Sequence, residues 1–354
     1  MEFYKLQINK RIQETDDSCS FRFVIPDELK DIFKYKPGQY LTLKLIIDNK
    51  EERRAYSISS CPFTDNFIQI TIKNIDGGFV SNYLVNNVTE GDWLDVLPPL
   101  GNFVIEPNEH IQHNYIMVAG GSGITPLMSM IKSILIVEPK SKVTLLYSNR
   151  YKNNIIFLDE LNRLYQQYPD RLSIYHFISK QTVEQTNFYG RLTPELFRSL
   201  ILDKISDINS TDFYICGPTS LMQSIEQEII ARQIPQTKIH KESFVSTNFY
   251  DEEGTKPTLP EFQKRDIKVR VYGQEYALTV EKDDNIITAG IKNGLIFPYS
   301  CQIGACSTCR AKLVSGDVFM EVKEGLTEEE VKQGYILTCQ SHPMSDDVVV
   351  DFDY

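Results

Sequence analysis

The sequence predicts three domains in series: an antiparallel β-barrel, an α/β domain built on a parallel sheet, and a smaller cysteine-rich domain. Three observations support this order. Short alternating segments fill residues 1–106, apolar runs alternate with amphipathic segments over residues 107–246, and four cysteines gather after residue 300. The 354 residues are enough for several separate hydrophobic cores.

The first predicted domain, residues 1–106, consists of segments in which apolar and polar residues alternate, as they do in strands with one buried face. Turn residues separate these segments, which is typical of a small antiparallel barrel. The segments are YKLQINKRI, SFRFVI, QYLTLKLII, FIQITIKNI and DWLDVLPP.

The second predicted domain, residues 107–246, has a different pattern. Short apolar runs alternate with helix-length amphipathic segments such as TSLMQSIEQEIIARQI. Because neighbouring parallel strands need crossover connections, this alternation predicts a parallel sheet flanked by helices. The apolar runs are YIMVAG, KVTLLYS, LSIYHFI and DFYICG.

A linker is predicted at residues 247–265, TNFYDEEGTKPTLPEFQKR, where acidic, Gly and Pro residues interrupt any regular pattern. The third domain, residues 266–354, begins with a predicted hairpin, IKVRVYGQEYALTV, and continues with a helix near residues 286–293. Residues 265–354 hold 9 Lys and Arg against 15 Asp and Glu, a net charge of −6. We therefore expect this acidic domain to meet a partner with a basic surface.

Composition argues against several function classes. The net charge of −11 argues against a nucleic-acid partner, because phosphate backbones bind basic surfaces. The apolar region 115–137 is interrupted by AGGSG, Pro126 and Lys132, so no membrane span is predicted. The cysteine count, seven, is odd, and MEFYKLQINKRIQE lacks the features of a signal peptide. We therefore expect no disulfide framework and a reducing, cytoplasmic location.

Four of the cysteines have the spacing C-x4-C-x2-C with a later fourth residue: Cys301, Cys306, Cys309 and Cys339. This is the plant-type spacing for a [2Fe–2S] cluster, in which thiolates bind the two irons. The residues between them are small, so the backbone can approach the sulfides and donate N–H bonds to them. A structural zinc site, the alternative, usually has two close pairs of ligands and fits this spacing poorly.

The loop PYSCQIGACSTC and the later LTCQS resemble the plant-type ferredoxins, and the resemblance covers residues 266–354. It implies a β-grasp domain with the cluster near its surface. A cluster of this kind carries one electron at a time, so another part of the chain must supply electrons.

The stretch RAYSISS, residues 54–60, offers groups that suit a phosphate and an aromatic ring system. Arg54 carries a planar cation, and Tyr56 offers a ring and a hydroxyl. Ser57 and Ser59 are expected on one side of an extended strand, because side chains alternate there. By itself this stretch favours an ordinary hairpin strand, because strands with two serines are common.

A second stretch, GGFVSNYL at residues 77–84, has two glycines that allow close backbone approach, and a helix is predicted to begin at Ser81. The free N–H groups of such a helix form an anion site for a pyrophosphate. With PLGNF at residues 99–103, these stretches resemble the flavin domain of the ferredoxin-NADP reductase superfamily. The resemblance implies FAD, with Arg54 at the pyrophosphate and with Tyr56 and Ser57 at the isoalloxazine and ribityl chain. The implied FAD contacts are Arg54, Tyr56, Ser57, Ser59, Gly77, Gly78, Val80 and Ser81.

A third stretch, IMVAGGSGITPLMSMI at residues 116–131, predicts a strand, a glycine turn and a helix with Thr125 as N-cap and Pro126 at its first position. A turn of this kind suits dinucleotide phosphates. The same superfamily carries G-G-x-G-I-T-P here and C-G-P late in the domain. The resemblance therefore implies that the pyridine nucleotide contacts Gly120, Gly121, Gly123, Thr125, Pro126, Cys216, Gly217 and Pro218.

The segment HKESF, residues 240–244, resembles an E-x-F element that closes over the flavin in related reductases. Glu242 and Phe244 are therefore implied on the catalytic face, together with Cys216 and Ser57. The alternative is a final strand with an exposed glutamate. The two remaining cysteines outside the motifs, Cys19 and Cys61, are predicted to be structural.

The choice between NADPH and NADH depends on the end of the second strand of this domain, LLYSNRYK. An NAD enzyme often places an acidic residue there for the ribose hydroxyls. Ser148 and Arg150 instead suit a 2′-phosphate, so we predict NADPH, with NADH as the alternative. Arg150 could also be an ordinary surface residue.

The domain order resembles the oxygenase reductases, in particular the reductase components of phenylacetyl-CoA epoxidase systems. This implies electron flow from NADPH to FAD, to the [2Fe–2S] cluster and to a separate oxygenase. One alternative is the NADH-linked, FMN-containing phthalate dioxygenase-type reductases, which share the domain order. Alternatives of other classes are an iron–sulfur redox sensor without catalytic electron flow, and a zinc protein with a degenerate nucleotide fold.

Overall fold

A computed structural model of the chain describes residues 2–181, 188–244, 259–299, 301–302, 304, 307–323, 325–326 and 328–354, without the side chains of Phe188 and Glu328. The described residues form two compact units, Glu2–Ser243 and Phe244–Tyr354. Within the described ranges, no helix is both long and apolar enough to cross a membrane.

The first unit begins with a six-stranded antiparallel sheet. Its strands are β1 (Tyr4–Thr15), β2 (Ser18–Phe23), β3 (Tyr40–Ile47), β4 (Lys50–Ser57), β5 (Ile68–Lys73) and β6 (Trp93–Val96), in the spatial order β4-β3-β6-β1-β2-β5. A bridge between Ile58 and Ile70 joins the two outer strands, so the sheet closes into the predicted barrel. Its interior is filled by the apolar residues that alternate along the strands, including Ile8, Phe21 and Leu43.

Helix α1 (Phe79–Asn87) follows β5 and packs Val80 and Leu84 into the barrel core. The predicted start at Ser81 is wrong, because the helix begins two residues earlier, with Gly78 as its N-cap. The reason is that Val80, like Leu84 one turn later, is apolar and buried, which extends the core-facing stripe towards the glycines.

The rest of the first unit is a six-stranded parallel sheet in the order β10-β9-β8-β7-β11-β12. Its strands are β7 (Asn114–Gly120), β8 (Lys142–Asn149), β9 (Leu172–Ile178), β10 (Phe188–Tyr189), β11 (Thr211–Cys216) and β12 (Ile239–Glu242). The helices are α2 (Ile124–Val137), α3 (Leu158–Gln167), α4 (Pro194–Leu200) and α5 (Thr219–Ala231). The strand order reverses between β7 and β11, and a crevice at that point is where open α/β sheets bind ligands.

The two faces of this sheet have separate cores, which explains the continuous apolar runs in its strands. Along β7, Met117 and Ala119 face a core that α2 and α3 cover. Ile116 and Val118 face the opposite core, which α4 and α5 cover. The alternation of strands and helices predicted for this region is therefore confirmed.

The start of α2 differs from the prediction. Thr125 is not the N-cap, and Pro126 is the third helical residue, because a 3-10 turn at Gly121–Gly123 runs directly into the helix. The hydroxyl of Thr125 donates to the carbonyl of Ser122 at 3.0 Å and leaves the first backbone N–H groups free of a side-chain cap. Proline is tolerated here because the first four N–H groups of a helix have no partner within the helix.

The second unit contains a mixed five-stranded sheet in the order β14-β13-β19-β15-β17 and a small ladder of β16 with β18. The strands are β13 (Arg265–Val271), β14 (Gln274–Val280), β15 (Arg310–Ser315), β16 (Val318–Met320), β17 (Tyr335–Leu337), β18 (Ser341–Pro343) and β19 (Val349–Asp351). Helix α6 (Ile286–Lys292) packs on the sheet, and α7 (Glu328–Lys332) is short. The predicted hairpin, helix and multidomain fold class are confirmed.

The segment predicted as a linker has two parts. Residues 245–258 lie outside the described residues, whereas residues 259–264 are irregular and Arg265 begins β13. Phe262 stacks on His342 with ring centroids 3.9 Å apart, so the last part of the segment packs against the second unit. The domain boundaries predicted from the sequence stay predictions.

Candidate functional site

Two glycine-containing turns meet at the carboxyl ends of β7 and β11. A Cβ atom on Gly123 would lie 2.1 Å from the carbonyl oxygen of Cys216, and a Cβ atom on Gly217 would lie 2.8 Å from the nitrogen of Gly120. Only glycine allows this approach, so the two motifs recognised separately in the sequence form one structure. Pro218, the N-cap of α5, lies against Gly120 from the same turn.

The turn before α2 has the shape of an anion site. Gly121 has a positive φ of +53°, and within the described part of the chain no atom beyond its immediate neighbours lies within 4 Å of the position its Cβ would occupy. The hydroxyl of the buried Tyr147 on β8 donates a hydrogen bond to the carbonyl of Gly121 at 3.0 Å. This bond ties the turn to the sheet. The turn before α2 is therefore open on one side and held by Tyr147, and a glycine turn of this kind at a helix start fits a dinucleotide phosphate. Sequence reasoning missed Tyr147, because nothing in the β8 pattern separates it from a core residue.

Three residues predicted for the catalytic face come together beside this turn. Cys216 and Glu242 are opposite each other on the parallel strands β11 and β12. The hydroxyl of Ser57, at the end of the barrel strand β4, donates to Oε2 of Glu242 at 3.3 Å. The barrel and the parallel sheet thus contribute to one site.

The chemistry of this face depends on burial. Burial raises the pKa of the Cys216 thiol well above its ordinary value, and the negative charge of Glu242 raises it further. Cys216 is therefore a neutral thiol, which packs in the site and carries no charge. Phe244, two residues after Glu242, is 38% exposed.

Two of the residues predicted to contact the flavin, Arg54 and Tyr56, lie near the end of β4, one at the barrel surface and the other against the barrel core. Arg54 Nη1 lies 3.0 Å from Oε2 of Glu52 and donates to the carbonyl of Arg53 at 2.7 Å, so the guanidinium is held at the barrel surface. Tyr56 packs against the barrel core. Burial raises the pKa of its phenol above the ordinary value, although Arg54 partly opposes this, so the hydroxyl stays a neutral donor.

Ser59 does not share the surroundings of Ser57. Its hydroxyl is buried and lies 3.3 Å from the carbonyl of Gln69 and 3.1 Å from the hydroxyl of Thr71. Strand β4 ends at Ser57, and the chain then crosses onto β5, so the alternation expected for these two serines does not continue. Its predicted contact with a cofactor has no support in these bonds.

The turn before α1 also presents backbone groups. Gly77 has a φ of +73°, and Gly78 caps the helix without a side-chain bond. The hydroxyl of Ser81 accepts the N–H of Ile75 at 3.3 Å and so holds the turn, while Val80 is buried in the barrel core. The side chains of Val80 and Ser81 therefore stabilise the fold. Only the backbone N–H groups of these two residues are placed to bind an anion.

Three basic residues, Arg150, Lys152 and Lys180, follow the ends of β8 and β9, and we call them the cationic edge. Ser148 is opposite Gly120 in the sheet, and Arg150 is exposed immediately beyond the strand. The N–H of Lys180 donates to the carbonyl of Arg150 at 2.9 Å, which brings the segment after β9 beside it. Lys152 joins this edge through a bond from its N–H to Oε1 of Gln181 at 3.0 Å. Sequence reasoning missed both lysines, because they follow different strands.

The described cysteine ligands of the second unit are all buried: Cys301, Cys309 and Cys339. The Sγ atoms of Cys309 and Cys339 are 3.2 Å apart, far beyond the length of a disulfide bond, so the loop and the later cysteine bring two thiols together. Cys306 lies outside the described residues. The donor set therefore fits an iron–sulfur cluster.

Polar bonds hold the cluster loop to the segment that carries Cys339. Nε2 of Gln340 donates to the carbonyl of Gln302 at 3.0 Å and to that of Cys339 at 2.8 Å. Gly304 has a φ of +74°, and a Cβ atom there would lie 2.6 Å from Cγ1 of Val322, so this turn requires glycine. Backbone placement near the sulfurs is what tunes such a cluster.

Family models match all three domains. They are the oxidoreductase FAD-binding domain over residues 5–105, the oxidoreductase NAD-binding domain over residues 117–227, and the 2Fe-2S iron-sulfur cluster binding domain over residues 269–344.

Curated relatives match almost the whole chain. A subunit of the 1,2-phenylacetyl-CoA epoxidase of Escherichia coli K12 is 34% identical over 99% of this chain and 98% of that protein. The ferredoxin reductase component of 3-ketosteroid-9-alpha-monooxygenase from Rhodococcus rhodochrous is 32% identical over 98% and 96% of the two chains. The structure of phthalate dioxygenase reductase aligns with a TM-score of 0.65 over 99% of this chain and 98% of that chain, at 22% identity, and so shares the fold.

Proposed function

The chain belongs to the oxygenase reductases of the ferredoxin-NADP reductase superfamily that carry a plant-type [2Fe–2S] domain, and on this premise we propose that it passes electrons from NADPH to an oxygenase. It is an NAD(P)H-dependent oxidoreductase with FAD, pyridine nucleotide and [2Fe–2S] domains. When bound, FAD takes up a hydride and releases electrons singly, and the cluster carries them one at a time.

The observation that carries this proposal is the meeting of Ser57, Cys216 and Glu242 beside the glycine turn at Gly121–Gly123. The turn would hold the nucleotide phosphates through its N–H groups. Ser57, whose proton is directed to Glu242, would present its oxygen to the isoalloxazine. Cys216 would pack beside the nicotinamide and exclude water from it, because its thiol is neutral and fully buried.

The preference for NADPH is the finer part of the proposal. Arg150, Lys152 and Lys180 form a cationic edge beyond β8, where an NAD enzyme often carries an acid for the ribose. A 2′-phosphate could form charge-assisted hydrogen bonds with this edge, whereas a ribose hydroxyl carries no charge to pair with it.

The test of this preference is Arg150→Ala. We expect the ratio of kcat/KM for NADPH to that for NADH to fall about 10- to 100-fold, since a hydrogen bond to a charged group contributes about 1.5–3 kcal/mol. The matched control is Arg163→Ala, which removes an exposed arginine from α3. A wild-type preference for NADH, or an equal fall with both nucleotides, would contradict the assignment.

We also propose FAD as the flavin. The glycine turn before α1 and Arg54 offer donors for the second phosphate, which FMN lacks. Releasing the flavin by denaturation and identifying it by chromatography tests this directly. FMN would favour the phthalate dioxygenase-type alternative.

The partner follows from the relatives, which serve epoxidase and monooxygenase systems. We propose a cytoplasmic oxygenase of the phenylacetyl-CoA epoxidase type, in phenylacetate degradation, because that relative has the higher identity. The oxygenase subunits of such an epoxidase, mixed with this protein and NADPH, should consume phenylacetyl-CoA. Turnover of a 3-ketosteroid with its own oxygenase, and none of phenylacetyl-CoA, would move the proposal to the steroid system.

A further inference from the structure

Helix α2 carries a buried polar stripe that the nucleotide turn does not explain. Ser129, Lys132 and Ser133 are 0%, 8% and 0% exposed, although most residues of the helix are apolar. Their spacing of three and four residues places them on one face. Buried polar side chains, and a lysine above all, need partners, so this face must meet polar groups.

These partners lie in the barrel, in the loop of residues 58–65 that follows β4. The hydroxyl of Ser129 donates to the carbonyl of Ser60 at 2.6 Å. The hydroxyl of Ser133 lies 3.5 Å from Sγ of Cys61. We call this set of contacts, with Lys132 and Asp65, the α2 seam.

Lys132 is the charged centre of the α2 seam. Its Nζ lies 3.5 Å from Oδ2 of Asp65 and 3.5 Å from Oε1 of Glu160 on α3. Asp65 Oδ2 also accepts the N–H of Cys61 at 2.8 Å, so the ion pair is tied to the barrel backbone. One lysine therefore joins a carboxylate of the barrel to a carboxylate of the nucleotide domain, where both are largely shielded from water.

The α2 seam joins the two elements that lead into the proposed redox site, helix α2 and the barrel loop. Helix α2 begins at the glycine turn Gly121–Gly123, and the barrel loop begins directly after Ser57, which bonds to Glu242. A helix is stiff over three or four turns, so a displacement at the seam moves the turn relative to Ser57.

We propose that Lys132 is a positioning residue for hydride transfer, which sets the distance between bound nicotinamide and flavin through the α2 seam. The proposal rests on the proposed function, in which a hydride with its electron pair leaves the nicotinamide ring and bonds to the flavin, so that the nucleotide is oxidised and the flavin reduced. Lys132 contacts neither ring. Its effect is on geometry, and a misplacement of about 1 Å can cost about 100-fold in rate.

The test is Lys132→Met in the intact, flavin-loaded protein. We expect the rate of flavin reduction at saturating NADPH to fall about 10- to 100-fold, while the dissociation constant of NADP⁺ changes less than about threefold. In the apoprotein, amide hydrogen exchange should accelerate in peptides that cover residues 58–65 and 129–137. Lys132→Arg keeps the charge and should keep most of the rate.

Two further variants make the result specific. Asp65→Asn should slow flavin reduction as well, and its effect should not add to that of Lys132→Met, because both variants lose the same ion pair between Lys132 and Asp65. Lys142→Met removes an exposed lysine from β8 and should change neither rate nor exchange.

The outcomes separate this inference from the proposed function. If neither NADPH nor NADH reduces the wild-type flavin, the proposed function fails. If the wild type is reduced and Lys132→Met is reduced equally fast, the inference alone fails. A loss of nucleotide affinity as large as the loss of rate would also overturn it, since Lys132 would then act on binding.

Discussion

The proposed site of hydride transfer in the first unit, which we call the hydride face, and the cluster site of the second unit are assembled in different ways. Ser57, Gly123, Cys216 and Glu242 come from four segments spread over most of the first unit, and only the tertiary structure brings them together. The cluster ligands come from one loop and one following strand end. A site assembled from distant segments depends on packing along the whole interface, whereas a local site depends mainly on its ligands and its own loop.

The two sites therefore need different changes to break them. Removing one ligand should abolish the cluster and leave the hydride face intact. Crowding or displacing one turn should slow hydride transfer and leave the cluster intact.

The largest expected effect is that of Cys339→Ser. Serine replaces a buried thiol that lies 3.2 Å from Sγ of Cys309, so the cluster should be lost, with its electron paramagnetic resonance signal. Reduction of cytochrome c should fall by at least about 100-fold, because the one-electron exit is gone. Flavin reduction by NADPH should stay within about twofold, since the hydride face is in the first unit.

Cys19→Ala is the control for this variant, because it removes a buried thiol from the barrel core. The cluster signal should persist in it. Loss of flavin reduction in Cys339→Ser would show that the two sites are not independent and would contradict the comparison.

The second effect is that of Gly123→Ala. The new Cβ would lie 2.1 Å from the carbonyl oxygen of Cys216, so the two turns must separate by more than about 1 Å, and flavin reduction should slow by about 100-fold. Stopped-flow absorbance at saturating NADPH measures this, and iron content should be unchanged.

Gly190→Ala is the matched control, because no atom of the described residues lies within 4 Å of the position of its Cβ, and Gly190 is not among the glycines with positive φ. Rapid flavin reduction in Gly123→Ala would mean that the contact of the two turns does not position the nucleotide.

The smallest effect concerns the pH dependence of stability in the first unit. Burial lowers the pKa of His176 to about 4, and the charge of Lys152 adds to this. In the unfolded chain the ordinary value is about 6.5, so the unfolded state binds the proton first as pH falls. Stability contributed by neutral His176 is present above pH 6.5 and is lost between about pH 6.5 and 4, on the order of 3 kcal/mol in total.

His176→Gln should therefore flatten the dependence of the unfolding free energy on pH in this window. Fluorescence of Trp93, the single tryptophan, measures unfolding of this unit. His110→Gln, which replaces an exposed histidine, should leave the dependence unchanged. An equal slope in wild type and His176→Gln would contradict the assignment.

The difference between a site built from one local segment and a site built from distant segments also explains what the sequence could predict. The cysteine spacing and the glycine turns are local patterns, so they predicted the cluster loop, the nucleotide turn and the order of the domains. Helix starts were less accurate, because Gly78 and Gly123 act as N-caps in place of the better capping residues that follow them. Ser59 was misplaced because alternation was extended beyond the end of β4.

Contacts between distant segments could not be predicted. Nothing in the sequence around Lys132 indicates that it meets Asp65 and Glu160, since a lysine in an apolar helix is usually at its solvent edge. Similarly, the bond from Tyr147 to Gly121 joins a strand to a turn that precedes it by 26 residues. Such pairs depend on how the strands and helices pack.

The central claim is that one chain carries electrons from NADPH through FAD to a [2Fe–2S] cluster. An anaerobic visible titration of the purified protein with NADPH tests it most directly. Two electrons for the flavin and one for the cluster predict complete bleaching of both sets of bands at about 1.5 equivalents of NADPH per chain. Bleaching of flavin bands alone at one equivalent, with no cluster bands in anaerobically reconstituted protein, would contradict the claim.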